Sequence, residues 1–227
     1  MSPQATPSRA AAKRANPSRN GRAEHNGHAA SLRGQRGEAV SARGARTRQR
    51  VAEALIGLLE EGDPAPTARA VAERAGVSVR LVFHHFEDME ALYTMVGRVQ
   101  AERHWETVRP VDPDLPLEER IERTVQQRAR LFETVGPVRR AGVALAARHA
   151  EIAEGVARSD ALLRRWLEHT FAPELAAAGK GRRELLAALD VAASWETWDR
   201  LRNSQHLAAA AARRAVARML GALLSGT

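Results

Sequence analysis

The 227-residue chain has no cysteine. Disulfide staples, thiolate metal sites and a cysteine nucleophile are therefore excluded. Aromatic residues make up only 4% of the sequence, so a core has to be built almost wholly from aliphatic side chains. Lysine is nearly missing too: Lys13 and Lys180 stand alone among the arginines. No uncharged apolar run reaches the roughly 18 residues that a membrane-spanning helix needs. The first residues are polar and contain proline, without the apolar stretch of a secretory signal, so the expected location is the cytoplasm. Catalytic signatures are missing as well. There is no Gly-x-Gly-x-x-Gly behind a strand, no Gly-Lys-Ser/Thr loop, no His-Glu-x-x-His and no Gly-x-Ser-x-Gly. Neither an enzyme nor a bound cofactor is expected.

What is present is helical in character. Hydrophobic residues make up 44% of the chain. Long segments of Ala, Leu, Arg and Glu favour helices, and no extended alternation of β-branched residues argues for strands. The expected fold class is all-α. The net charge of +8 is unevenly placed. Residues 1–45 carry eight cations against two acids, a net +6; residues 46–110 carry nine against ten, and residues 111–227 eighteen against fifteen. The first 45 residues are rich in Gly, Ser, Pro, Asn and Arg, with Leu32 and Val40 as their only large aliphatic residues. Such a segment buries too little surface to offset its ordering entropy and is expected to be disordered. It is either an arm that binds nucleic-acid phosphates without sequence preference or a solvated leader.

From Arg46 the pattern changes. Val51, Leu55, Leu58 and Leu59 form a helical apolar stripe that Gly62-Asp63-Pro64-Ala65-Pro66 stops. A second short helix is expected after Thr67, a third after Ser78 and a fourth after Asp88, continuing to about Trp105. Beyond the linker Asp112–Pro116, helices are expected near 117–135, 138–157, 160–178, 182–203 and 205–224. Gly136-Pro137 and Gly179-Lys180-Gly181 mark junctions, and Pro173 kinks or splits its segment.

The stretch from Thr67 to Phe86 is the most informative. Thr67 suits an N-cap, and Gly76 a left-handed helix end. Ser78 suits a second N-cap, with Val77 before it and Val82 four places after it in the hydrophobic-staple arrangement. Two capped helices joined by so short a turn make a helix-turn-helix. On the second helix Val82 and Phe86 face a core, while Arg80, Phe83 and His84 share another side. In a helix-turn-helix that side enters the DNA major groove. Arg80 has the reach and geometry to donate two bonds to a guanine. Ser78 and the first-turn N–H groups, among them that of Val79, can hold a phosphate at the positive helix end. Thr67, His84, Arg46 and Arg48 complete the candidate DNA contacts, fixing register rather than reading bases. His84 and His85, being adjacent, do not share a helix face, and no carboxylate completes a ligand spacing, so no metal site is expected.

Thr67–Ser78, then Phe83-His84-His85-Phe86, then Asp88-Met89-Glu90-Ala91-Leu92 together resemble the N-terminal domain of TetR/AcrR-type transcriptional regulators. The resemblance covers residues 46–100. The chain departs from the usual Tyr-x-His-Phe at Phe83, which lacks a hydroxyl, and has Met89 where a lysine is frequent. Near the other end, Ser194–Arg202 and the Ala-rich helix after it are similar to the last two helices of many members. The resemblance implies an N-terminal DNA-binding domain over 46–100 and a helical effector-binding and dimerisation domain over 101–227. It further implies a four-helix seam between two copies, built by the last two helices, and an effector pocket enclosed by the middle ones.

The residues agree with such a seam. Ala212, Val216, Met219, Leu220 and Leu223 form one apolar stripe, and Trp195, Trp198 and Leu201 a second line. Trp195, Trp198, Val216, Met219, Leu220 and Leu223 are the candidate dimerisation residues. Trp105, His149 and Trp166 are the candidate ligand-binding residues. The function that follows is a DNA-binding transcriptional regulator, a repressor. It binds a palindromic operator as a homodimer and is released by a small-molecule effector. The rival is an architectural protein that coats nucleic acid without sequence preference; a helical enzyme with an incidental helix-turn-helix is a third reading.

Overall fold

A computed structural model of the protein describes residues 42–104 and 107–225. The chain divides into two compact units, 1–47 and 48–227. The described residues of the first unit, 42–47, are helical. The irregular arm expected over 1–45 thus falls outside the described residues up to 41, while 42–45 correct it. Ala42, Arg43, Ala45 and Arg46 are strong helix formers, and the Thr47 hydroxyl donates back to the Arg43 carbonyl at 3.0 Å.

In the second unit every regular element among the described residues is helical. We number them α1 (48–60), α2 (Ala68–Ala75), α3 (Val79–His85), α4 (Met89–His104), α5 (Leu117–Ala146), α6 (Ala150–Thr170), α7 (Ala172–Ala177), α8 (Arg182–Ala192), α9 (Trp195–Asp199) and α10 (Ala209–Leu224). No helix among the described residues is long and apolar enough to cross a membrane.

Two aliphatic cores organise these helices. One joins Val51, Leu55 and Leu59 of α1 to Val71, Val82, Phe86, Leu92 and Val96, and it also takes in Val138 and Ala141 of α5. The other joins Ile121, Val125 and Phe132 of α5 to Leu167, Phe171, Leu175, Leu189, Trp195, Trp198, Val216 and Leu220. Each fully buried Leu or Phe contributes about 1.5–3 kcal/mol, so these two clusters dominate the stability of the unit.

The helix α5 corrects one expectation. A junction at Gly136-Pro137 does not form; a single helix of 30 residues runs through Pro137. A helix-interior proline costs about 3 kcal/mol, because it removes one backbone bond and crowds the preceding turn. Gly136 lowers that cost, since it has no Cβ to meet the proline ring. Packing supplies the rest: Phe132 lies in one core and Val138 in the other, so both sides of the proline are held.

The turn instead occupies 147–149, and α6 then runs unbroken through the gap expected near 158–159. The Ser159 hydroxyl donates to the Gly155 carbonyl at 3.1 Å, so it sits inside a helix rather than capping a new one. Pro173 does split its segment, falling in the first turn of α7 after Phe171. The single helix expected over 182–203 is also corrected. α8 ends at Ala192, Ser194 caps α9 by accepting from the Thr197 N–H at 3.1 Å, and Arg200–Ser204 form a π-helical turn. His206 takes a left-handed backbone, φ 55°, before α10 begins.

Candidate nucleic-acid interface

The geometry around α3 starts with its caps. The Thr67 hydroxyl accepts from the Ala70 N–H at 3.2 Å and opens α2. Gly76 closes it at φ 63°, with its own N–H and that of Val77 turned back to carbonyls of α2. Ser78 accepts from the Leu81 N–H at 3.1 Å and opens α3. Phe86 leaves the helix in an extended conformation, and the Asp88 carboxylate accepts from the Ala91 N–H at 2.8 Å to open α4. All four turns are thus set by local side-chain chemistry.

Tertiary contacts orient the pair. Val82 and Phe86 are buried in the first core, and Val77 packs against the same cluster, as the staple requires. Gly57 on α1 leaves room for the Arg74 guanidinium, which would lie within 3 Å of a Cβ there. From that seat Arg74 donates to Glu61 at 2.8 Å and braces α2 against α1.

The opposite side of α3 is bare. Arg80 and His84 are exposed, Phe83 is 45% exposed and Val79 38%. These two are large apolar side chains left open next to a cation and an imidazole. Arg80 has no carboxylate partner among the described residues. The rings of His84 and His85 meet edge to face at 5.2 Å. Desolvation, then repulsion from His84 and Arg48, lowers the His85 pKa. Arg48 therefore lies on the same side as the end of α3, as a phosphate neighbour would. Arg46 belongs to the first unit and is exposed on its helical residues. Thr67 and Ser78 are thereby the exposed N-caps of α2 and α3, and Val79, Arg80, Phe83 and His84 are exposed along α3.

A doubly capped helix pair with one flank in a core and the other presenting arginine, imidazole and open apolar groups has the arrangement of a helix-turn-helix. Residues 52–96 match the model of the bacterial regulatory proteins of the tetR family. About four fifths of the chain resembles solved structures at low identity. A transcriptional regulator from Rhodococcus sp. RHA1 is 20% identical, with a TM-score of 0.63 over 79% of this chain and 96% of that one. A regulator from Mesorhizobium loti assigned to the TetR family is 17% identical, TM-score 0.54, over 81% and 98%. Another so assigned, from Rhodococcus sp., is 15% identical, TM-score 0.56, over 79% and 99%. At these identities the neighbours establish the shared fold. No curated protein matches the sequence. Residues 52–96 thus carry a tetR-family domain, and most of the chain shares the fold of these solved structures.

The C-terminal candidates fare differently. Trp105 lies outside the described residues. His149 is the N-cap of α6, and its Nδ1 lies 2.7 Å from Glu90. Trp166 lies near the other end of α6, about 25 Å along the helix axis from His149. A small molecule cannot touch both, so the two do not line one pocket. Trp166 instead borders a narrow cleft with Thr124, Gln127 and Arg128.

The dimerisation candidates also need correction. Trp195, Trp198, Val216 and Leu220 are buried in the chain's own second core. The Trp198 Nε1 donates to Glu133 at 3.0 Å within the same chain. Met219 and Leu223 are half-buried at the edge of that core. Val191, on α8 beside α10, is 67% exposed.

Sequence reading overlooked Thr124 and Arg128. Both lie in the buried stripe of α5, with Ile121, Val125, Ala129 and Phe132. An arginine in register with an apolar stripe was the available signal.

Proposed function

We propose that the protein is a transcriptional repressor that binds a palindromic operator as a homodimer and is released by a small-molecule effector. The observation that carries this reading is the bare flank of α3: Val79, Arg80, Phe83 and His84 open to solvent, with Val82 and Phe86 buried behind them. Arg80 reads a base step. Ser78, Thr67, His84 and Arg48 contact phosphates, and Val79 and Phe83 meet the apolar edges of the groove, such as a thymine methyl.

The homodimer would form through the outer faces of α8 and α10, which pack beside each other and carry the exposed Val191. Two copies related by a twofold axis present two α3 helices to half-sites about one helical turn or somewhat more apart. An effector that binds one spacing of the helices better than the other shifts the equilibrium toward it.

Selection of bound fragments from the organism's genomic DNA, followed by footprinting, tests this. A discrete footprint with twofold symmetry supports the repressor. Uniform protection of any duplex, with affinity independent of sequence, supports instead the architectural protein that coats nucleic acid.

A further inference from the structure

Two arginines of α5, Arg120 and Arg128, are both about 95% buried, and their surroundings differ. Arg120 is neutralised. Its guanidinium donates to both Glu174 carboxylate oxygens at 2.6 and 2.7 Å, and to the carbonyls of Leu115 and Thr170. Arg128, two turns on, meets only backbone: the Ala193 carbonyl and the Leu163 carbonyl, each at 2.6 Å. The nearby carboxylates are already taken. Asp160 accepts from Arg139 at 2.6 Å, and Asp190 from Arg164 at 2.9 Å. Desolvation pulls the Arg128 pKa down to about 10 against the opposing pull of Asp190 and Asp160, so the group is still a cation at neutral pH, enclosed without a direct carboxylate contact.

One turn before it on the same face, the Thr124 hydroxyl is 7% exposed as a residue and has no hydrogen-bond partner. Buried hydroxyls are almost always bonded. Thr124 and Arg128 together line two narrow clefts. One runs past Phe132, Trp198 and Val216; the other past Val108, Trp166 and Leu167. Around the Thr124–Arg128 rung the first cleft is walled chiefly by apolar and aromatic side chains, with Ser194 at its edge, and the second adds Arg109, Gln127 and Thr170 to Val108, Trp166 and Leu167. Each cleft has room for about one water molecule, so any larger occupant separates α5 from its neighbours.

We propose that Thr124 and Arg128 anchor the carboxylate of an otherwise apolar effector, whose hydrocarbon or aryl body lies among Phe132, Trp166 and Trp198. This rests on the effector-released regulator proposed above and names the chemical class of that effector. A carboxylate is a stronger acceptor for a guanidinium than a neutral carbonyl, and it accepts from the Thr124 hydroxyl at the same time. It therefore draws Arg128 away from the Ala193 and Leu163 carbonyls. Ala193 lies at the corner where α8 ends and α9 begins, so the exchange loosens the link between α5 and the end of α8.

The test uses the full chain and a matched series of probes: n-alkyl carboxylates from butanoate to dodecanoate, phenylacetate, and the corresponding alcohols and amines. Binding is followed by titration calorimetry and by the fluorescence of the tryptophans. Saturable binding of at least one carboxylate is expected, at least tenfold tighter than its alcohol and amine. Thr124→Val is expected to weaken that carboxylate about fivefold or more, and Arg128→Gln to erase the preference for acid over alcohol. Where Arg128→Gln does not fold, Thr124→Val alone decides. Equal binding of acid and alcohol, no saturable binding across the series, or an unchanged ratio in Thr124→Val overturns the proposal. Footprinting of the same unliganded preparation keeps the two claims apart. A symmetric footprint without carboxylate binding removes this site and leaves the regulator. Carboxylate binding without any discrete footprint removes the operator-binding reading and leaves the site.

Discussion

Glu90, in the first turn of α4, meets Nδ1 of His149, the N-cap of α6, at 2.7 Å. The pair links the helix that follows α3 to the helix that turns back along α5. Both side chains are about one-third exposed, so the contact is worth on the order of 0.3–1 kcal/mol. A double-mutant cycle with Glu90→Gln and His149→Ala, read by denaturant unfolding, is expected to return a coupling in that range. Strict additivity of the two single changes would show that the contact contributes nothing.

Arg80 stands exposed one residue into α3, with no acidic partner among the described residues. Replacing it with alanine leaves the fold untouched and removes a bidentate donor. The expected loss is about 1–3 kcal/mol of specific affinity, with relaxed preference at one base step. Binding selection on the variant checks this: a sequence preference identical to that of the parent chain would refute base reading by Arg80.

The turn between α2 and α3 rests on two local devices. Gly76→Ala forces a side chain into the left-handed region at φ 63° and is expected to cost about 1–2 kcal/mol, although nothing crowds the new Cβ. Ser78→Ala removes the acceptor for the Leu81 N–H and is expected to cost about 0.5–2 kcal/mol. Ser78→Thr or Ser78→Asp retains most of that stability, whereas Ser78→Val does not. Melting temperatures of the five variants give the comparison.

Acid should weaken the protein through two carboxylates. Hydrogen bonds from Arg120 hold Glu174 below its usual value of 4.5, and bonds from Arg202, then Trp198, do the same for Glu133. A depressed carboxyl contributes stability that is complete above its unfolded pKa and is lost as the pH falls through its folded one. The loss therefore begins below about pH 4.5. Asp160 has the opposite sign, because burial raises its pKa and protonation relieves that cost. Unfolding measured across this acid range should give a shallower slope for Glu174→Gln and for Glu133→Gln than for the parent chain. An unchanged slope in both would place the acid sensitivity elsewhere.

The sequence by itself determined the helix-turn-helix. Thr67, Gly76, Ser78 and Asp88 act on backbone groups within three or four residues of themselves, so their effect does not depend on the rest of the chain. The split at Pro173 was legible for the same reason. Tertiary structure decided what depends on distant partners. Pro137 stays inside α5 because Phe132 and Val138 are gripped by two different cores. Trp195 and Trp198 have the same spacing and polarity whether they face a second copy or their own chain. Only the packing of α9 against α5 and α8 settled that they lie inside. Arg128 reads along the chain as one more arginine on a helix. Its lack of a direct carboxylate contact comes from Arg139 and Arg164 having taken Asp160 and Asp190, a competition among α5, α6 and α8 that no local pattern encodes.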